Sequence, residues 1–269
     1  MQNLKESERS KGVVIFAFNT DIDYVGIADL SSRLISHNLK LPVTLITDIN
    51  SNPKFNYDQV IRIDTQGHTW RDDNILWRNL DRYLAYELSP YIETIVLDAD
   101  YLVLDNTLLQ LFHTEFDYRL MHHNMTPDGP SYEMMGETSV PFIWATIVLF
   151  RKTARAKLFF NLVGRIQRNY GYYCTLYNVR EKNYRNDYAF SMANIILNGY
   201  SINEDFGIPW NMFTINNKID TITLTDNFLK IQHADNAVVS PYQNLHIMDK
   251  DYLQSTDFEQ VVEAICEST

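Results

Sequence analysis

The feature that most constrains the fold is an unbroken apolar run at residues 12–19 (GVVIFAFN). A run of this kind is typical of a strand that is buried on both faces of a sheet. A helical stripe of apolar residues follows at 21–38, and a second apolar strand, Val43–Thr47, comes after Pro42. Strand, helix and strand at this spacing indicate parallel strands joined by a crossover. The sequence therefore predicts an α/β fold with a mostly parallel central sheet.

The same patterns predict further elements along the chain. A long surface loop is expected at 124–139, which carries two prolines and two glycines. No internal repeat or linker rich in Gly, Ser or Pro is visible, so we expect a flexible arm at residues 1–11 and one domain over residues 12–269. Helices are predicted at 74–88, 107–112, 153–168, 187–197 and 258–266, and strands at 60–63, 94–97, 142–150, 221–224 and 229–231.

Composition argues against the secreted, collagenous, zinc-finger and membrane classes of protein. Of the 269 residues, 45% are apolar and 21% are charged, as in a globular protein with ample material for a core. The two cysteines, Cys174 and Cys266, are too few for a disulfide framework or a cysteine-based zinc site, so we expect a reducing compartment such as the cytoplasm. We expect neither a signal peptide nor a membrane span. The formal net charge of -11 argues against general adhesion to DNA or anionic membranes.

The strongest chemical motif is the pair Asp98 and Asp100 in the segment TIVLDADYLVLD. A predicted buried strand ends at this pair, and ligands bind at the carboxyl ends of strands in open α/β sheets. Alternation along an extended segment would point both carboxylates to the same side. Two such oxygen ligands suit Mn²⁺ or Mg²⁺, which can bridge a substrate diphosphate and compensate the charge of the leaving group. The alternative is a solvated acidic turn without a ligand.

The order of these elements resembles a known family. A first strand, a second strand ending at Thr47 and Asp48, a long helix and then a strand running into Asp98 and Asp100 look like a metal-dependent glycosyltransferase of the GT-A fold, over about residues 12–250. The chain is similar in particular to small glycosyltransferases of tailed bacteriophages. The resemblance implies one GT-A domain, a nucleotide-sugar donor (a UDP-sugar above all) and Mn²⁺ or Mg²⁺ as the cofactor.

The resemblance also implies roles at the metal. Asp98 and Asp100 take the two D-x-D positions, the second as a metal ligand and the first as a contact to metal or ribose. His246 would be a third metal ligand and Lys250 would meet the diphosphate, roles that suit an imidazole and an ammonium group. His233 is the competing histidine.

Further donor contacts are implied around the first two strands and in the helix that precedes the D-x-D strand. Tyr24, in the helix after the first strand, is one candidate for such a contact, and its alternative role is packing in the core. Arg78 and Arg82 lie on one helix face and would contact the phosphate or sugar of the donor, with a surface ion pair to Asp81 as the alternative. Four residues after the first and second strands fall where the family seats the nucleotide: Asn19, Thr20, Tyr24 and Asp48.

Asp187 lies at the start of a predicted helix, where the family often has an acidic residue close to the sugar or the acceptor hydroxyl. As a catalytic residue, its carboxylate would be a general base in an inverting enzyme or a stabilising charge in a retaining one. The alternative is a favourable charge at the N-terminus of the helix.

Charge is distributed unevenly along the chain. Residues 151–185 carry a net charge of +8, and the rest of the chain carries -19. Tyrosines lie among the cations, and cations with planar rings suit phosphate backbones and unstacked bases. We therefore expect a nucleic-acid-binding face here, with a solvated helix face as the alternative. The basic residues of the segment are Arg151, Lys152, Arg155, Lys157, Arg165, Arg168, Arg180, Lys182 and Arg185.

Three functions are consistent with these features. The first is transfer of a sugar from a nucleotide-sugar to a hydroxymethylated cytosine in phage DNA, in the cytoplasm of a bacterial host. The second keeps the transferase but has a glycan, lipopolysaccharide or protein acceptor, and the third is a nucleotide-binding module without turnover. A Rossmann oxidoreductase and a P-loop ATPase are disfavoured, because no G-x-G-x-x-G follows the first strand and no Walker lysine motif occurs.

Overall fold

The computed structural model describes residues 11–64, 79–131, 133–180, 183–201, 207–225, 228–234 and 236–267. Its strands are β1 Lys11–Phe16, β2 Val43–Thr47, β3 Gln59–Arg62, β4 Glu93–Leu97, β5 Tyr101–Leu102, β6 Tyr118–Met121, β7 Asn124–Thr126, β8 Gly129–Ser131, β9 Trp144–Arg151, β10 Met212–Ile215, β11 Thr221–Leu224, β12 Phe228–His233, β13 Asn236–Pro241 and β14 Leu245–Ile247. The helices are α1 Tyr24–Leu39, α2 Ala85–Leu88, α3 Ala154–Arg168, α4 Tyr170–Leu176, α5 Asn186–Leu197, α6 Lys250–Leu253 and α7 Thr256–Glu267, with 3₁₀ segments at Asp81–Leu84 and Thr107–His113.

The central sheet has the strand order β3-β2-β1-β4-β9-β6. Strands β3, β2, β1 and β4 are parallel, whereas β9 pairs antiparallel with both β4 and β6. Of the six strands described in this sheet, β9 alone therefore runs in the opposite direction. The predicted α/β class with a mostly parallel central sheet is confirmed.

The middle strands are apolar because they are covered on both faces. All residues of β1 except Lys11 are buried, as are all residues of β2 and all of β9 except Arg151. Strand β1 thus already begins at the last residue of the predicted arm, while residues 1–10 lie outside the described part. Among the described helices, none combines the length and the apolar character needed to cross a membrane.

Helix α1 connects β1 to β2. The Asp23 side chain accepts a hydrogen bond from the backbone N–H of Gly26 at 3.0 Å and so caps its N-terminus. Lys40, in the left-handed region with φ 54°, ends the helix. The helix packs against α7, and α3 packs against α5 and the 3₁₀ segment Asp81–Leu84.

A second sheet, of order β5-β14-β10-β7-β8, adjoins the D-x-D segment. Strand β5 begins one residue after Asp100 and pairs antiparallel with β14, which in turn is parallel to β10. Strands β11, β12 and β13 form a separate antiparallel sheet. The sequence patterns predict none of β5, β10 and β14, so the connection between this sheet and the motif is a finding of the structure.

Three predicted elements differ in the structure. The predicted surface loop at 124–139 contains the hairpin β7–β8, because β7 has β10 as a neighbour in the second sheet. The predicted helix at 107–112 is the 3₁₀ segment Thr107–His113. The predicted helix at 74–88 lies partly outside the described residues, and its described end is the 3₁₀ segment Asp81–Leu84 followed by α2.

Replacing Gly12 by alanine tests how tightly β1 packs against Tyr91. A Cβ at Gly12 would overlap the ring of Tyr91, which is fully buried and held by a 2.8 Å hydrogen bond between its hydroxyl and that of Thr44. We expect Gly12→Ala to lower the free energy of unfolding by about 1–3 kcal/mol, the usual cost of overpacking. Urea denaturation measures this loss.

Gly171→Ala is the matched control: among the described residues, a Cβ at this position of α4 meets nothing within 4 Å beyond its chain neighbours and its own helix backbone, and alanine favours a helix. An equal loss of stability in both variants would contradict the packing account.

Candidate metal centre

Asp98 and Asp100 lie in a turn directly after β4. The backbone N–H of Tyr101 donates to the carbonyl oxygen of Asp98 at 3.2 Å, so the segment is not extended. The two carboxylates still converge, and with His246 they form a cluster in which the ligand atoms of all three residues lie within 4.8 Å of one another. The pair therefore points to one place, as expected, but a turn rather than strand alternation brings this about.

The second sheet brings His246 to the motif. In the pairing of β14 with β5, His246 lies opposite Tyr101, and the N–H of Ile247 donates to the carbonyl oxygen of Asp100 at 3.0 Å. The Nε2 atom of His246 is 3.6 Å from Oδ1 of Asp100. His233, the competing histidine, is the last residue of β12 and is not part of this cluster.

Asp100 is buried beside the ammonium group of Lys250 and the imidazole of His246. The Lys250 ammonium forms an ion pair with Oδ2 of Asp100 and also donates to the carbonyl oxygens of Ile247 and Met248, each at 3.1 Å. Burial alone would raise the pKa of Asp100, but the nearby ammonium group of Lys250 and the imidazole of His246 outweigh it and hold that pKa well below its ordinary value. These neighbours therefore favour the ionised carboxylate form of Asp100.

Arg82 holds the other carboxylate. Its side chain is only 2% exposed, forms an ion pair with Oδ1 of Asp98 and donates to the carbonyl oxygen of Ala145. Burial lowers the pKa of Arg82, but the charge of Asp98 more than compensates and the net effect is a raised pKa. The alternative of a surface ion-pair face is therefore wrong for Arg82, because the residue is inside the protein. Arg78 lies outside the described residues.

Asp187 is in the first turn of α5, but its side chain contacts β9. Its Oδ1 accepts from the backbone N–H of Ala145 at 3.0 Å, and its Oδ2 pairs with the Arg185 guanidinium at 3.0 Å. The charge of Asp187 also contributes to the raised pKa of Arg82. The backbone N–H and carbonyl of Ala145 thus link Asp187 to Arg82, and through Arg82 to Asp98.

The residues predicted to seat the nucleotide follow β1 and β2. Asn19 organises the start of α1, where its Oδ1 accepts from the N–H of Val25 at 2.8 Å. Thr20 is exposed, Tyr24 is the first residue of α1 and packs partly against the core, and Asp48 is buried directly after β2. These positions lie at the carboxyl ends of parallel strands, and contact with a nucleotide stays a prediction.

The basic residues of 151–185 do not form one uncompensated surface within the described part of the chain. Acids from elsewhere in the sequence fold against several of them, so charge that is adjacent in sequence is partly neutralised in space. Arg165 and Arg168 are exposed on α3, and the guanidinium of Arg168 is 5.7 Å from the ring centre of Tyr83. Lys182 lies outside the described residues. The ion pairs are Arg151 with Glu93 and Glu115, Lys157 with Glu87, Arg180 with Glu137 and Arg185 with Asp187, while Lys152 donates to Ser89 and Arg155 to Asn198.

Two residues behind His246 have no signal in the sequence. The hydroxyl oxygen of Thr214 is 3.1 Å from Nδ1 of His246, and the same hydroxyl donates to Oδ1 of Asn124 at 2.7 Å. Asn124 falls in the predicted loop and Thr214 in a stretch without a predicted element. Their role depends on strand pairing between distant segments, which no local spacing reveals.

No protein-family model matches the chain, and no curated protein matches its sequence. Among solved structures, the chain is similar to the glycosyltransferase GlyE of Streptococcus pneumoniae TIGR4, with 14% identity, 68% of this chain and 43% of that chain covered, and a TM-score of 0.39. It is also similar to the galactosyltransferase LgtC in complex with donor and acceptor sugar analogues, with 13% identity, 68% of this chain and 70% of that chain covered, and a TM-score of 0.46. The chain spans less than half the length of the GlyE structures that it matches.

Replacing Asp98 by asparagine would remove the charge of the carboxylate that pairs with the buried Arg82 guanidinium. Removing one partner of a buried ion pair costs about 3–5 kcal/mol, and we expect a loss of about 3 kcal/mol here because the Asp98 side chain is 23% exposed. Chemical denaturation of Asp98→Asn measures the change. Glu115→Gln is the control, since this fully exposed partner of Arg151 should matter little. Wild-type stability in Asp98→Asn would show that the pair does not hold the guanidinium in place.

Proposed function

We propose that this protein is a metal-dependent glycosyltransferase of the GT-A type, which transfers a sugar from a nucleotide-sugar to an acceptor hydroxyl. The observation that carries the proposal is the cluster of Asp98, Asp100 and His246, with the cations of Arg82 and Lys250 on its two carboxylates. The cluster lies at the carboxyl end of β4, the edge of an open α/β sheet where ligands bind.

The donor set of the cluster fits a divalent cation. Two carboxylates and one imidazole supply the oxygen and nitrogen ligands that Mn²⁺ accepts, and carboxylates also suit Mg²⁺. Asp98, Asp100 and His246 would hold the ion. When bound, such a cation compensates the negative charge of the diphosphate leaving group.

Lys250 and Arg82 have different roles at this site. Lys250 forms an ion pair with Asp100, which would also be a ligand of the metal. Its ammonium group is therefore placed to bind a diphosphate oxygen next to the ion. Arg82 stays charged and buried, and it orients Asp98 through a charge-assisted hydrogen bond.

Asp187 is the residue we propose to act on the acceptor side. Its carboxylate is oriented by the N–H of Ala145 and by Arg185, and it lies close enough to Arg82 to influence its pKa. From there it would place the sugar or accept the proton of the acceptor hydroxyl. We further infer that Asn19, Thr20, Tyr24 and Asp48 seat the nucleotide, for which UDP is the first candidate.

Replacing Asp100 by asparagine tests the metal role. We expect wild type to hydrolyse a nucleotide-sugar only when Mn²⁺ or Mg²⁺ is present, and Asp100→Asn to lose at least about 100-fold in turnover, because the charge compensation by the metal is worth several kcal/mol. The assay is release of nucleoside diphosphate or monophosphate from a panel of UDP, GDP and CMP sugars.

Asp58→Asn, at an exposed residue directly before β3, is the control and should retain activity. Unchanged turnover in Asp100→Asn would reject the metal role. A wild type that binds UDP but cleaves no sugar of the panel would favour the binding module instead.

For the acceptor, we infer a hydroxymethylated cytosine in phage DNA, which would have to leave the base stack to reach the site. The support is the basic composition of residues 151–185, of which Arg165 and Arg168 remain exposed on α3. The ion pairs of the segment weaken this support, so a glycan, lipopolysaccharide or protein acceptor is the alternative. A cytoplasmic location in a bacterial host belongs to the DNA hypothesis.

Salt dependence distinguishes the two kinds of acceptor. If the acceptor is DNA, the affinity for a hydroxymethylated duplex falls steeply with salt, and Arg165→Gln with Arg168→Gln lowers the slope of log affinity against log salt by about 2. Fluorescence anisotropy on labelled duplexes measures both quantities. Lys230→Gln, exposed on β12, is the control and should leave the slope unchanged. No affinity for duplex DNA at low salt would reject the DNA acceptor.

A further inference from the structure

Two buried polar side chains lie on the Nδ1 side of His246. Thr214 is 1% exposed and Asn124 3% exposed, and His246 itself is 6% exposed. Strand β10 carries Thr214 opposite His246 of β14 and has β7, which begins at Asn124, on its other side. Three adjacent strands of the second sheet therefore hold the three side chains in a row.

The hydrogen bonds in this row have a defined direction. The amide oxygen of Asn124 can only accept, so the Thr214 hydroxyl donates its single proton to it, at 2.7 Å. The Thr214 oxygen then offers only lone pairs to Nδ1 of His246, 3.1 Å away. Nδ1 must therefore carry the hydrogen. In the neutral imidazole this leaves the lone pair on Nε2, the atom that lies 3.6 Å from the carboxylate of Asp100.

We propose that Asn124 and Thr214 are positioning residues that keep His246 in the Nδ1–H tautomer, with Nε2 available as a metal ligand. The proposal rests on the proposed function, in which Nε2 binds the divalent cation. Histidine ligands in general donate their other ring N–H to a partner that fixes the tautomer and the ring orientation.

Asn124 sets the direction of the hydrogen bonds in this row. Without its acceptor oxygen, the Thr214 hydroxyl could turn and donate to Nδ1, and the histidine would then carry its hydrogen on Nε2 and have no lone pair for a metal. Within the described part of the chain, the buried Nδ2 atom of Asn124 makes no hydrogen bond. A buried amide donor without a partner is unfavourable. We therefore attribute the asparagine at this position to the hydrogen-bond acceptor that it gives Thr214, and not to a contribution to the stability of the fold.

The test compares Thr214→Val, Asn124→Leu and the conservative Thr214→Ser. The tautomer of His246 is read from the ¹⁵N shifts of labelled histidine at about pH 8, where an ordinary imidazole is neutral. His246→Gln identifies the signal. Mn²⁺ affinity is measured by electron paramagnetic resonance without donor. We expect Thr214→Val and Asn124→Leu to populate the Nε2–H tautomer and to bind Mn²⁺ about 10–100-fold more weakly, and Thr214→Ser to resemble wild type.

Thr44→Val is the matched control, because it also removes a buried strand hydroxyl with a hydrogen bond, that to Tyr91, away from the metal centre. It should change neither the tautomer nor the Mn²⁺ affinity. Wild-type tautomer and affinity in both Thr214→Val and Asn124→Leu would overturn the proposal. So would the Nε2–H tautomer of His246 in wild type, a result that does not depend on whether Thr214→Val or Asn124→Leu folds.

The two proposals fail in different ways. If wild type has the Nδ1–H tautomer but no Mn²⁺ affinity, the proposed function is rejected, and the positioning role with it. If wild type binds Mn²⁺ and Thr214→Val binds it equally well, the positioning role alone is rejected.

Discussion

The site depends on the pairing of buried charges at the end of β4. Asp98 and Asp100 lie next to an apolar core, where a carboxylate without a partner would be strongly unfavourable. Arg82 and Lys250 supply the two opposite charges, from the segments before β4 and after β14. Each contact thus stabilises one carboxylate and also attaches a distant segment to the D-x-D turn. These two ion pairs act together with the turn after β4 and the pairing of β14 with β5 to set the geometry of the cluster.

The two sheets contribute different kinds of group to this centre. The central sheet ends in the carboxylates, because its parallel strands expose their carboxyl ends at one edge. The second sheet contributes His246 and the hydroxyl and amide behind it. Helix α5 adds Asp187, which binds the backbone N–H of Ala145, the residue whose carbonyl oxygen binds Arg82. Anionic, basic and neutral polar groups therefore meet at one point from separate elements, as a site for a charged ligand and a metal requires.

The basic segment shows why charge in a sequence is a weak guide to charge on a surface. The net charge of +8 over residues 151–185 includes Arg151, which is half-buried between Glu93 and Glu115. Strand pairing of β9 with β4 places Arg151 directly opposite Glu93. Neither acid is near Arg151 in sequence, so the compensation is a consequence of topology.

The sequence by itself determined the α/β class, the order and direction of the first strands and the place of the D-x-D pair after β4, because apolar runs and periodicity are local properties that burial imposes on each element. The resemblance to a family added His246 and Lys250. Only the tertiary structure decided that a turn brings Asp98 and Asp100 together, that residues 124–131 form a hairpin, that Arg82 is buried and that Thr214 and Asn124 contact His246. Most of these features depend on contacts between segments far apart in the chain. Such contacts leave no pattern in the local spacing of residues, so the sequence alone does not reveal them.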